Sequence, residues 1–180
     1  MIFIIIILAI LLILAGIYNG LVRSRNRVNE AWSDIDVQLK RRYDLIPNLI
    51  ETVKGYATHE KTVFEEVTAA RTQAQSAGSL QAKQAAEDRL SGAIRGIFAV
   101  AENYPQLQAN QSFLDLQNQL TDTEDKIAYS RQYYNTQVME YNRQIRMVPG
   151  LWIAPLFGFT SRAFFKVEES ERQAPKVKFE

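Results

Sequence analysis

Residues 1–22 (MIFIIIILAILLILAGIYNGLV) carry no charged side chain, and Arg23, Arg25 and Arg27 come directly after them. A helix of that length reaches about 33 Å, against a hydrocarbon core of about 30 Å. The segment therefore reads as a transmembrane anchor over 1–22. A cleaved secretory signal fits poorly, because it wants a charged start, a shorter apolar run and a small-residue cleavage site before a polar mature end. A buried core helix fits poorly too, since such a run of Ile and Leu leaves no polar face.

Basic residues flanking a span favour the cytoplasmic side. Arg23, Arg25, Arg27, Lys40, Arg41 and Arg42 all lie C-terminal to the segment, and only the terminal amine precedes it. This asymmetry predicts a single-pass chain with its N-terminus outside and the domain from Arg23 onward in the cytoplasm. A periplasmic or extracellular domain is the alternative, because some N-terminal anchors translocate the domain behind them.

The stretch beyond the anchor has the length of one domain. All the charge lies there, 21 Lys and Arg against 20 Asp and Glu, with the signs interspersed rather than blocked. No basic stripe points to nucleic acid. The absence of cysteine excludes disulfides, iron–sulfur clusters and Cys-ligated zinc. Eight glycines and five prolines in 180 residues favour long regular elements over a turn-rich β architecture.

The spacing supplies those elements. Ala31, Trp32, Ile35, Leu39 and Tyr43 recur at helical intervals, so the membrane helix is expected to run on into the domain. Pro47 marks a helix boundary within 44–47, since proline inside a helix costs about 3 kcal/mol. Leu49, Ile50, Val53, Tyr56, Val63, Phe64, Val67 and Ala70 continue a stripe that 55–58 interrupts, with Thr58 as a cap for the next helix. Residues 75–79 form a loop, with Gly78 as stop and Ser79 as the next N-cap. A helix over 80–104 carries Ala86, Leu90, Ala93, Ile94, Ile97, Phe98 and Ala101 on one face and ends at Pro105. From Gln111, the residues Phe113, Leu116, Leu120, Ile127, Tyr134, Val138, Tyr141, Ile145 and Val148 keep a near-heptad, coiled-coil-like rhythm until Pro149 and Gly150. Nothing alternates with period two. The expected fold is all-α: an up-and-down antiparallel four-helix bundle over 23–148 behind the anchor. A tail over 149–180, apolar and then charged, packs on the open end of the bundle core or lies on the membrane surface; the first is preferred.

No constellation carries recognisable chemistry. His59 is the lone histidine, so a metal site, a relay or a Ser-His-Asp triad would have to rest on it alone. Its neighbour Glu60 and its place at a helix start fit a capping or surface role. Asp34 with Asp36, and Glu65 with Glu66, stand at spacings whose side chains diverge on a helix. Phosphate-cradling and zincin motifs are absent. Tyr129, Tyr133, Tyr134 and Tyr141 form either a ring-lined face or, for the half on the apolar stripe, core packing. No catalytic, cofactor-binding or metal-ligating residue is assigned, and no cofactor is expected.

The segments YNGLV at 18–22, NEAWSDIDVQLKRRYDLIPNLI at 29–50 and VKGYATHE at 53–60 are followed by ENYP at 102–105, AYSRQYYN at 128–135, YN at 141–142, FGF at 157–159 and APKVKF at 174–179. On these segments the chain resembles, over nearly its whole length, the LemA family, bacterial membrane-anchored helical proteins. The resemblance implies a four-helix bundle behind one membrane helix, in the bacterial inner membrane, and supplies no active site. The expected function is a non-enzymatic membrane scaffold or adaptor. Its expected partners are the lipid bilayer, further copies of itself and unidentified membrane or cytoplasmic proteins. The alternatives are an accessory of a membrane stress or signalling system working with a protease or transporter, and an enzyme with an unrecognised site, for which Asp34, Asp44, His59 and Glu102 are the residues to replace.

Overall fold

The computed structural model describes residues 1–165. Among them are six α-helices and no strand: α1 (Ile2–Lys54), α2 (Lys61–Ser76), α3 (Leu80–Ala101), α4 (Pro105–Gln108), α5 (Gln111–Arg146) and α6 (Gly150–Ile153), with a 3-10 turn at Pro155–Phe157 after them. The expected count of four is exceeded by α4 and α6, each a single turn. The charged end of the tail and the APKVKF match lie outside the described residues.

Helix α1 runs unbroken for 53 residues, so the apolar segment and the domain share one element. It is the one described helix long and apolar enough to cross a membrane, and its most apolar 18-residue window has no residue buried among the described residues. Burial begins at Leu21 and continues through Ser24, Val28, Ala31, Ile35, Leu39, Arg42, Ile46, Leu49 and Val53, in steps of three and four residues along one face.

The boundary expected within 44–47 does not occur. Pro47 lies inside α1. Proline lacks the N–H that would bond the carbonyl four residues earlier, which is that of Tyr43. The Arg71 guanidinium reaches across from α2 and donates Nε–H to that carbonyl at 2.8 Å. A side chain on another helix thus replaces the missing backbone donor, and the orphaned acceptor is satisfied. The break comes instead at 55–60, where the α2 N-cap position is Glu60 and not Thr58.

The Ser79 cap agrees with the sequence, and a further cap, at Asn110, emerges from the structure. Ser79 Oγ accepts the Ala82 N–H at 3.2 Å and starts α3. Asn110 Oδ1 accepts the Phe113 N–H at 3.1 Å and starts α5. Helix α3 stops at Ala101, three residues short of the expected end, and Pro105 occupies the first turn of α4.

The long helices pack as two antiparallel pairs. In the first, α1 lies against α5, with Arg42 beside Glu124 and Trp32 beside Tyr134. In the second, α2 lies against α3, with Arg89 donating to Gln73. Lys83, in the first turn of α3, pairs with Asp36 at 3.3 Å. The second pair therefore begins near the level of Asp36 and leaves the lower part of α1 and α5 uncovered.

That lower part is covered by the chain beyond α5. After α6, the chain turns at Gly158, whose φ of 69° is a left-handed conformation suited to glycine. Residues 160–165 then run back along α5 as a strap. Asn142 holds both backbone groups of Arg162, donating to its carbonyl and accepting its N–H at 2.9 Å each. Asn135 does the same for Phe165, at 3.0 and 2.9 Å. Two helical turns advance about 10.5 Å, nearly the length of three extended residues, so the two amides meet matching rungs of the strap. Phe165 stacks on Trp32 at 5.6 Å and Phe159 packs on Tyr18 at 5.8 Å. Ile153, Ala154, Phe159 and Phe165 are buried, while Leu151, Trp152, Leu156 and Phe157 are exposed.

The Arg71 bridge is tested by a double-mutant cycle in urea. Arg71→Leu leaves the Tyr43 carbonyl without its donor and is expected to destabilise the chain by about 1–3 kcal/mol. In a Pro47→Ala background the restored N–H bonds that carbonyl, and the same substitution is expected to lose most of its effect.

Candidate functional site: a buried ion cluster beneath an open groove

Arg42 and Glu87 are core residues by burial, with side chains 2% and 1% exposed. Arg42 occupies the α1 core register between Leu39 and Ile46, and Glu87 is buried on α3 one turn before Leu90 and two before Ile94. The helices therefore carry both charges inward.

The Arg42 guanidinium bonds Glu124 of α5 at 2.8 Å, donates to Ser91 Oγ of α3, and stands 3.7 Å from Glu87. Ser91, one turn beyond Glu87, donates to the second Glu124 oxygen at 3.5 Å. The Tyr43 hydroxyl donates a hydrogen bond to Glu87 Oε1. Through Arg71 on the Tyr43 carbonyl, one turn of α1 is joined to α2, α3 and α5.

Removal from water dominates the electrostatics. Burial raises the Glu87 pKa above the usual carboxylate value, and it outweighs the Tyr43 hydrogen bond and the nearby Arg42, Arg131 and Lys83 charges. Burial, the hydrogen bond to Glu87 and its charge also push the Tyr43 phenol far above its ordinary pKa. Among the described residues, Glu87 Oε2, Arg131 Nε and Gln38 Oε1 are buried and find no hydrogen-bond partner.

Above the cluster, between α3 and α5, lies a groove of about 800 Å³. Ser91 and Glu124 form part of its floor, Arg95 and Arg131 its cations, and Tyr129, Met139 and Phe164 its apolar wall. Asn135 and Phe165 also border it. The lining mixes amides, both charge signs and rings, which suits a polar peptide-like segment better than an apolar small molecule.

The residues considered from sequence lie elsewhere. His59 is exposed in the turn between α1 and α2, and so are Asp34 and Asp44 on α1, Glu65 and Glu66 on α2 and Glu102 at the end of α3. Asp36 is committed to Lys83. No group of three metal-ligating side chains occurs among the described residues. Of the tyrosines, Tyr134 and Tyr141 are buried, whereas Tyr129 and Tyr133 are exposed. Sequence reasoning misses the cluster because Arg42 stands directly after Lys40 and Arg41, which reads as a solvated basic run. The helical spacing from Ile35 through Leu39 to Ile46 is the signal that places Arg42 inside.

The cluster predicts an unusual pH response. A folded carboxyl pKa above its unfolded value gives stability that is fully present below the unfolded pKa, near 4.5, and is lost as pH rises through the folded value. Urea titrations from acid to neutral pH are expected to show native stability falling relative to Glu87→Gln. Arg42→Leu, which strands a buried carboxylate, is expected to cost about 3–5 kcal/mol at neutral pH.

The LemA family model matches residues 31–179. Magnetosome protein MamQ 2 of Paramagnetospirillum magneticum is 26% identical, the match covering 83% of this chain and 64% of that protein. Magnetosome protein MamQ of Magnetospirillum gryphiswaldense is 23% identical over 82% of this chain and 64% of its own length. Protein LemA of Metamycoplasma hominis is 25% identical over 87% of this chain and 72% of its own length. The chain thus spans just under two thirds of the MamQ proteins. With the family match extending from the middle of α1 through the strap and beyond, the chain belongs to the LemA family.

Proposed function

We propose that this protein is a membrane-anchored, non-enzymatic scaffold or adaptor, built as four long up-and-down helices and acting through self-association or through protein partners at the membrane. The carrying observation is α1, which is apolar and unburied at one end and forms the core of the domain at the other without a break. A domain joined to its anchor by a single unbroken helix moves with that anchor as one body, which suits an ordered assembly. The buried cluster supports a structural role for its charges, because Glu87 is closed to solvent and to any substrate. The likeness to magnetosome proteins supports a role in membrane organisation by analogy.

The groove offers a surface for a protein segment, which favours the adaptor form of this reading. The arginines after the apolar segment favour a cytoplasmic domain in the inner membrane.

Two measurements test this. Extraction of native membranes with gentle detergent, then sizing, is expected to give assemblies larger than one chain; monomers alone, with no co-purifying protein in near-constant ratio, reject the scaffold reading. Gly78→Cys places a unique thiol in the exposed α2–α3 loop, where a Cβ meets nothing within 4 Å. Intact cells are expected to protect it from an impermeant reagent, and labelling before lysis reverses the orientation.

A further inference from the structure

The turn after α5 leaves an apolar foot at one end of the domain. Trp152 is 67% exposed, Leu156 79% and Phe157 57%, and Met147, Val148 and Leu151 are exposed beside them. These residues are not scattered over the surface. Phe157 packs on Tyr18 of α1 at 4.9 Å, and Met147 and Val148 share a notch with Ile17, Gly20 and Leu21. The foot is therefore fixed at the level of residues 17–21.

That level can be placed in a bilayer. A hydrocarbon core of about 30 Å takes about 20 helical residues at 1.5 Å each, so a span beginning near Ile2 reaches its far border close to Val22. The foot then sits at that border, within the outer several Å of the apolar layer, the depth at which amphipathic segments with Trp and Phe reside. Its shape is held rigidly. A Cβ on Gly150 would collide with the Gln144 carbonyl, so the foot turns back tightly against the end of α5.

Charge points the same way. Residues 1–29 and 141–165 contain six arginines, Arg23, Arg25, Arg27, Arg143, Arg146 and Arg162, and no Asp or Glu, although Arg143 is paired with Glu140 just outside at 2.8 Å, which offsets one of the six. The whole chain has a formal net charge of only +1, so the rest of it is net acidic. Arg25 lies over the Phe159 ring at 5.1 Å, and Arg146 reaches Ser161 of the strap. A cationic collar surrounds the foot just where lipid headgroups begin.

We infer that the foot, residues 147–157, is a second membrane contact that inserts its apolar side chains into the same leaflet border crossed by α1 while the arginine collar recruits anionic phospholipid headgroups. The inference rests on the anchoring reading and adds a lipid ligand to it. Two contacts, the spanning helix and the foot beside it, set which side of the domain faces the bilayer, since rotation about a lone span is left free.

The test uses the full chain in vesicles of phosphatidylcholine with phosphatidylglycerol. Leu156→Cys and, at the far end of α5, Asn118→Cys are each labelled with an environment-sensitive nitrobenzoxadiazole; both positions are exposed, so the fold is retained. Position 156 is expected to emit at shorter wavelength and to be quenched several-fold more than position 118 by a shallow nitroxide lipid. Equal quenching overturns the inference. With the nitroxide on phosphatidylglycerol instead of phosphatidylcholine at equal content, quenching at 156 is expected to rise about fivefold. Replacing Arg23, Arg146 and Arg162 with Gln is expected to remove that preference, and a preference that persists unchanged overturns the role of the collar. A chain that alkaline carbonate strips from the vesicles overturns the anchoring reading itself; a chain that stays while position 156 reports water overturns the foot alone.

Discussion

One hydrogen bond sets the terms for the rest of the fold: Arg71 of α2 on the Tyr43 carbonyl of α1. Pro47 removes the donor that this carbonyl would otherwise find in its own helix, and an unpaired acceptor in a packed interior is unfavourable by about 1–3 kcal/mol. The bridge lets α1 continue to Lys54 and at the same time draws α2 against it. The same helical turn presents Arg42 and Tyr43 to α3 and α5. Helix continuity, the placing of the second pair and the buried ion cluster therefore share one local origin.

The strap solves a different problem. Helices α2 and α3 are shorter than α5, so they cannot cover the whole apolar face of the first pair. An extended segment can, provided its backbone groups find partners. Asn135 and Asn142 supply them two turns apart, and the preceding residues Tyr134 and Tyr141 fill the core beneath. The repeated Tyr-Asn dyad thus combines packing with backbone recognition. Because the amides bind main chain, they fix the position of the strap without dictating its side chains, and Phe159 and Phe165 supply the apolar contacts.

Much of this is legible in the residues. The apolar start, the stripe from Ala31 to Tyr43, the Ser79 cap and the long helix from Gln111 each arise from local spacing and capping chemistry, and each is present. The features that escape a reading of the sequence depend on distant partners. Pro47 looks like a terminator unless Arg71 is known to stand beside it. Arg42 looks solvated because two basic neighbours precede it, although its register is that of a core residue. The Asn135 and Asn142 pair announces nothing until an extended segment lies against it. Hydrophobic period reveals elements, but the satisfaction of a single carbonyl or charge is decided by a residue tens of positions away.

An unbroken α1 also behaves as a lever. About 32 residues extend from the end of the apolar segment to Lys54, a rigid arm of roughly 48 Å at 1.5 Å per residue. Bilayers of different thickness are accommodated by changes in helix tilt. A tilt change of about 10° would swing the far end of the arm sideways by roughly 8 Å on this geometry. The distal turn at 55–60 and the short helix α4 stand at that end. Local bilayer thickness is thereby converted into a lateral displacement far from the lipid, and the geometry of anything bound at the tip would report the state of the membrane below.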